Sequence, residues 1–359
     1  MTDARDDVRM DEALSLARRG WGQTAPNPLV GAVLYKDDEK IAEGFHARFG
    51  EAHAEVSAIA SAGERARDST LYVNLEPCAH HGKTPPCTDA IIAAGITRVV
   101  AATRDPGPVA KGGAELLRAA GIKVDIGVRE AQARELNAPF FHAATSDRPW
   151  VTLKLAMSLD GAISGAERVG GWLTGAESRA EVQRMRAASD GIAIGVQTAL
   201  ADNPQLTART HPPPRVQPLR IVFDRMGRLS SQNILVRTAR EVPTLVVTTP
   251  STRIKAELGN AGVEQLGAED VHDALRQLKQ RGVLSLMVEG GAGLAASFLA
   301  GAHVDRLVIF RAPVILGSGA LGAFSAIASQ EVESAPRFTL LETRGLGDDV
   351  MSVYRVGEH

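Results

Sequence analysis

The stretch LYVNLEPCAHHGKTPPCTDAIIAAG, Leu71 to Gly95, passes from a strand pattern, through a loop holding both cysteines of the chain, into a helical pattern closed by glycine. A strand that feeds Cys78 and a helix that leaves Cys87 bring two thiols to one junction of an α/β layer. A chain of 359 residues with only two cysteines, both in one short loop, commits them to a single task. In a reducing compartment that task is metal binding or chemistry before it is a disulfide.

Just upstream, EAHAEVSAIA places His53 and Glu55 at the start of a predicted helix. Residues two apart do not share a helix face, so the pair has to act at the first turn, where the backbone is open to a ligand. His53, Cys78 and Cys87 supply one imidazole and two thiolates, a zinc set that leaves one position for water. Glu55 is then the neighbouring carboxylate outside the ligand set, placed to relay a proton to a departing amine, as hydrolytic deamination of a base requires. The short zinc-deaminase signature is H-x-E followed by P-C-x-x-C. Here HAE and PC are present, but the second cysteine lies nine positions after the first. A structural zinc, or two buried free thiols, is the plainer alternative.

The remainder of the chain alternates in the same way. DEALSLARRG, AEVSAIASAG, TDAIIAAG and AELLRAAG read as helices; LVGAVLY, EKIAEGF, TLYVNL, TRVVAAT and IKVDIG read as strands. A polar seam, HAATSDRP, precedes the fresh strand WVTLKLAMS and divides the chain into residues 1–146 and 147–359. Beyond it, strands at GIAIGV, LRIVFD, TLVVTT, LSLMVEG and VDRLVIF alternate with helical patterns, so the second domain is also α/β. A 38.0 kDa chain exceeds the size at which one core usually stops growing, which agrees with two domains.

Composition excludes several functions. With 44% hydrophobic and 23% charged residues, the chain has ordinary globular cores to build. A net charge of −2, with lysine and arginine spread rather than blocked, argues against a nucleic-acid substrate. No apolar run approaches the roughly 20 residues of a membrane span. The N-terminus MTDARDDVRM is acidic where a secretory signal is basic and then apolar, so the expected location is the cytoplasm and no membrane partner is expected.

APNPLVGAVL, GFHARFGEAHAEV and LYVNLEPCAHHGKTPPC resemble the deaminase half of the bifunctional deaminase/reductases of riboflavin biosynthesis, whose cysteine loop is of this longer form. The resemblance continues through LNAPFFHA, LKLAMSLDGAIS, ADNPQLTAR and VEGGAGLAASFL, over nearly the whole chain. It implies a cytidine-deaminase-like three-layer sandwich followed by a dihydrofolate-reductase-like domain. The implied activities are zinc-dependent deamination of a pyrimidine ribosylamine phosphate, then NADPH-dependent reduction of its ribosyl group to ribityl. A small-molecule substrate and a homo-oligomer are implied as well.

Carried onto this sequence, the resemblance makes His53, Cys78 and Cys87 the zinc ligands and Glu55 the proton shuttle. Asn27 would orient the pyrimidine, although an ordinary turn residue between two prolines reads the same on sequence alone. His46 and Lys83 would lie near the ribose phosphate. In the second domain, VEGGAGLAASFL follows a strand and opens a helix, an arrangement that offers backbone N–H groups to a phosphate. It lacks the G-x-G-x-x-G fingerprint and is weak by itself. The resemblance assigns Gly291, Ala292, Gly293, Leu294, Ala295, Ala296 and Ser297 to NADPH, with Met157, Trp172, Thr198 and Asp202. Gly170, Arg186, Leu206, Arg209 and Glu289 would face the sugar phosphate, the two arginines because a guanidinium can fork onto two oxygens.

Two departures stand out. DPGPVAKGG replaces the family's D-P-N-P turn, with Gly107 in place of the asparagine, which leaves Asp105 unassigned. Arg225 stands where the family commonly has serine; it either adds a cation for the cofactor's 2′-phosphate or points into solvent.

Overall fold

The computed structural model describes residues 4–80, 85–107, 112–167, 171–329, 331–333 and 335–356. They form two compact units, Met1–Thr145 and Ser146–His359. None of the described helices is long and apolar enough to cross a membrane.

The first unit runs α1 (Ala4–Ala17), β1 (Gly31–Lys36), β2 (Glu39–Phe45), α2 (Ala54–Ala62), β3 (Thr70–Val73), α3 (Cys87–Ala93), β4 (Arg98–Ala101), α4 (Gly113–Ala119), β5 (Lys123–Ile126), α5 (Glu130–Leu136) and α6 (Ala138–Thr145). Its five-stranded sheet has the order β2-β1-β3-β4-β5, antiparallel on either side of β1 and parallel from β3 to β5. Side chains alternate across a strand, so each strand feeds two cores. Ala32, Leu34, Leu71, Val73, Val99 and Ala101 meet α2, α3 and α4 through Ala54, Ala58, Ile91, Ala114 and Leu117. Val33, Tyr35, Tyr72 and Val100 meet α1 and α5 through Met10, Ala13, Leu14 and Ala133. The result is an α/β/α sandwich in three layers.

Helix α2 lies unusually close to the sheet because a Cβ at Gly44 would fall 2.5 Å from both the Ala54 carbonyl oxygen and the Ala58 nitrogen. That approach sets where the first turn of α2, with His53 and Glu55, sits relative to β3.

The second unit runs β6 (Trp150–Met157), β7 (Ala162–Ser164), α7 (Ala176–Ala187), β8 (Gly191–Gly195), α8 (Val196–Asp202), β9 (Leu219–Phe223), α9 (Ile234–Arg237), β10 (Thr244–Thr248), α10 (Ala256–Asn260), β11 (Glu264–Gly267), α11 (Val271–Gln280), β12 (Ser285–Val288), α12 (Ala292–Ala300), β13 (Arg306–Arg311), β14 (Leu321–Gly322), β15 (Phe338–Leu346) and β16 (Asp349–Val356). Its main sheet has nine strands in the order β11-β10-β9-β8-β12-β6-β13-β16-β15. The first seven in that order are parallel; β16 and β15 close the edge as an antiparallel ribbon. From β8 the chain steps outward to β11, then returns to lay β12 on the other side of β8. Strand order therefore reverses between β8 and β12, and in open α/β sheets ligands bind beyond the carboxyl ends at such a point.

Candidate active site

The first unit gathers its chemistry at the start of two helices. His53 is the N-cap of α2, with extended backbone (φ −71°, ψ 162°), and Glu55 lies in the first turn. Cys78 follows β3 on a loop, and Cys87 opens α3. The His53 Nδ1 atom is 3.2 Å from the Cys87 Sγ and 3.6 Å from the Cys78 Sγ, and the three atoms fall within 4.8 Å of one another. Glu55 is not part of this group, in agreement with a carboxylate beside the metal rather than on it.

The electrostatics suit a dication. The Cys78 thiol is pushed down to about 4 by a hydrogen bond from Cys87, and His53 assists against the opposing effect of burial. The Cys87 thiol is pushed up by the anionic sulfur beside it and by burial. One thiolate is thus preformed, and the second proton leaves when a metal binds. Burial raises the Glu55 carboxyl to about 7, where a side chain can both accept and return a proton near neutrality.

The cysteine loop is braced from below. The buried Glu76 carboxylate accepts from the Asp105 and Ala114 backbone N–H groups, tying the β3 exit to the segment that enters α4. A Cβ at Gly113 would stand 1.8 Å from the Pro77 carbonyl oxygen, so only glycine lets α4 approach this close to Cys78. Asp105 folds back on its own loop and accepts from the Gly107 N–H at 2.7 Å.

His46, expected at the ribose phosphate, is placed differently. It is 2% exposed, one ring nitrogen meets the Ala52 carbonyl (3.1 Å), and the other meets Asn27 Nδ2 (3.2 Å). Its ring stands edge-on to His53 at 5.4 Å. Burial, the largest influence on it, lowers its pKa, while the Ala52 carbonyl works the other way. Lys83 and Gly170 lie outside the described residues.

The second unit holds a cleft of about 2000 Å³ at the reversal point. Helix α8, which follows β8, contributes Thr198 and Asp202; the link after β12 contributes Glu289 and Gly291, and the start of α12 contributes Ala292, Gly293, Leu294 and Ser297. Trp172, Arg186, Leu206, Arg209 and Arg225 also line it. Trp172 is 77% exposed, with the Arg179 guanidinium 5.3 Å from its ring.

Three expected cofactor contacts fall elsewhere. Ala295 and Ala296 are buried, Ala295 in the core beneath α12, and the Ala295 N–H is spent on the Gly291 carbonyl. Only the first turn of a helix has open N–H groups, and one and a half turns cannot all face one cleft. Met157 packs against the same core, while Lys154, Leu155 and Ala156 form the nearby wall.

Arg186 does not present its fork to the cleft. Its Nε and Nη2 donate to the two oxygens of Glu289 at 2.5 and 2.9 Å, and Nη1 donates to the Thr207 carbonyl. Beside the pair lies Lys154, whose pKa burial lowers. A lysine inside the apolar strand WVTLKLAM was the available signal, because lysine is almost never buried without a reason.

Comparison with known proteins finds similarity to both units. The zinc-binding region of cytidine and deoxycytidylate deaminases matches residues 4–103, and the RibD C-terminal domain matches residues 149–352. The chain is 41% identical to riboflavin biosynthesis protein RibD of Aquifex aeolicus, covering 98% of each chain. It is 39% identical to that of Escherichia coli, covering 96% of this chain and 98% of the other. Among solved structures, Acinetobacter baumannii RibD aligns with a TM-score of 0.88 at 38% identity over 99% of both chains. A Thermotoga maritima protein described as diaminohydroxyphosphoribosylaminopyrimidine deaminase/5-amino-6-(5-phosphoribosylamino)uracil reductase aligns with a TM-score of 0.87 at 37% identity, over 98% of this chain and 99% of that one. A preformed His/Cys/Cys centre in one unit and a strand-reversal cleft in the other thus accompany full-length similarity, and the chain belongs to the RibD family, bifunctional enzymes of riboflavin biosynthesis that join a zinc-dependent deaminase to an NADPH-dependent reductase.

Proposed function

We propose that residues 1–146 deaminate 2,5-diamino-6-ribosylamino-4(3H)-pyrimidinone 5′-phosphate and that residues 147–359 then reduce its ribosyl group to ribityl. The observation that carries the first half is the convergence of His53, Cys78 and Cys87 beside a buried Glu55. Zinc, when bound, lowers the pKa of a coordinated water so that it serves as a nucleophile at neutral pH. Glu55, whose carboxyl is held near 7, would accept a proton at its carboxylate and return it to the departing amine. Asn27 hydrogen-bonds the pyrimidine edge, His46 steadies Asn27, and Lys83 is assigned to the phosphate.

In the reductase, NADPH supplies the hydride. The open N–H groups of Ala292, Gly293 and Leu294 would receive its pyrophosphate, Thr198 and Asp202 line the same crevice, and Trp172 and Ser297 complete it. Arg225 and its neighbour Arg228, both on the cleft wall, receive the 2′-phosphate. On the substrate side, Arg209 and Leu206 meet the sugar phosphate. Arg186 holds Glu289 in place, and that carboxylate faces the sugar. The small-molecule substrate agrees with a net charge of −2 and no basic block. A homo-oligomer rests on the family resemblance, and a cytoplasmic location on the acidic, polar N-terminus.

Glu55→Gln tests the deaminase reading. Zinc content should stay at the wild-type level, ammonia release should fall by about 10²–10⁴-fold, and NADPH oxidation with the deaminated substrate should continue. Ammonia release at the wild-type rate overturns the role of Glu55.

A further inference from the structure

The segment Asn27-Pro28-Leu29 enters β1 but lies outside every ladder, so its backbone groups need partners from elsewhere. The Asn27 N–H donates to the Thr24 carbonyl, and two asparagine side chains serve Leu29. Asn137, between α5 and α6, accepts from the Leu29 N–H at 2.8 Å and donates to the Leu29 carbonyl at 2.9 Å. Asn74, just past β3, donates to the same carbonyl at 2.9 Å and accepts from the Gly31 N–H at 2.8 Å. Both are buried, Asn74 fully and Asn137 at 4% exposure.

A carboxamide is the one neutral side-chain group that presents a donor and an acceptor side by side, as a neighbouring strand does. Asn137 therefore acts as a one-residue strand against Leu29, brought from 108 positions away. Proline 28 has no N–H to contribute, so these bonds are what hold the backbone two residues after Asn27.

We infer that Asn137 is a positioning residue of the deaminase: it acts through Leu29 to hold Asn27 at the pyrimidine edge. The inference rests on the proposed contact between Asn27 and the substrate. It also gives a physical meaning to the motif LNAPFFHA, whose asparagine makes these two bonds. Aspartate at this position keeps the acceptor for the Leu29 N–H but turns a second oxygen toward the Leu29 carbonyl, so the clamp becomes a repulsion at nearly constant shape.

The test compares Asn137→Asp, Asn27→Ala and the double variant in the full-length zinc-loaded chain, reading KM and kcat for deamination, with zinc content and reductase activity of the same preparations as controls. N137D is expected to raise the deaminase KM by about tenfold or more, with a smaller change in kcat and with zinc and reductase activity unchanged. In the N27A background the same change should have no further effect, the non-additivity expected of residues acting as one unit. If N137D loses zinc, N137S removes the clamp without adding charge and is held to the same outcomes. Wild-type deamination by N137D alongside an impaired N27A overturns the positioning role. Full additivity of the two changes overturns it too, leaving Asn137 a general packing residue. Wild-type deamination by N27A instead overturns the Asn27 contact, and the positioning role falls with it.

Discussion

Glu55, His53 and the two cysteines could be read from the sequence because their chemistry depends on residue type: a thiolate or imidazole ligand has few substitutes, and the spacing limits where it can act. What the sequence does not show of His46 is its partner, the Asn27 side chain at 3.2 Å. Ala295 and Ala296 were hidden for another reason: a glycine-rich turn announces a helix N-terminus but not which of its residues face the ligand. Arg225 stands where the family resemblance leads one to expect serine. It lines the cleft with Arg228, and a 2′-phosphate is the only feature that separates NADPH from NADH. Arg225→Ala is expected to weaken binding of 2′,5′-ADP by roughly tenfold or more, the value of one lost charge-assisted hydrogen bond, while leaving 5′-AMP binding unchanged. Calorimetric titration decides the point, and equal weakening of both ligands places Arg225 away from the phosphate.

At the scale of elements, the central strands were legible because both of their faces are buried, which writes a near-continuous apolar run. The ribbon of β15 and β16 was not, since β15 is exposed along most of its length and its alternation is correspondingly weak. Helix α1 begins at Ala4, seven residues before the apolar pattern suggests, because Asp6 looks like a solvent-facing residue. Its carboxylate is in fact 5% exposed and bonded to Arg98 (2.7 Å) and Tyr72 (2.7 Å) across the sheet. Burial works to raise its pKa, but these bonds outweigh it and the value lies below the ordinary one. A depressed carboxyl contributes stability that is fully present above its unfolded value, about 3.9, and is lost as pH falls through the folded value. Asp6→Asn should therefore cost about 2 kcal/mol at pH 7, a deficit that shrinks below pH 4 when urea unfolding is followed through hydrogen exchange in α1. A deficit independent of pH would assign the loss to packing. At the junction of β3 and α4, Gly113→Ala is expected to displace the Pro77 carbonyl and the adjoining Cys78, lowering zinc affinity by about 10–100-fold with reductase activity intact. Normal zinc content in that variant would remove the junction from the account of the metal site.

For the whole molecule, the chain joins two units that each have their own sheet and their own cores. The polar seam HAATSDRP is a local feature of the sequence, whereas the nine-stranded order of the second sheet depends on long-range pairings that no local pattern encodes. Each unit holds one site, so the two reactions should be separable by variants confined to one unit and ordered by the chemistry of the substrate. Mass spectrometry of the diaminopyrimidine ribosylamine phosphate incubated with the enzyme, with and without NADPH, tests this most directly. Without NADPH the account predicts a single product in which the ring amine has been exchanged for oxygen, and with NADPH that same product carrying two further hydrogens on the sugar. A reduced product that retains the amine, or no deamination until NADPH is added, would contradict it.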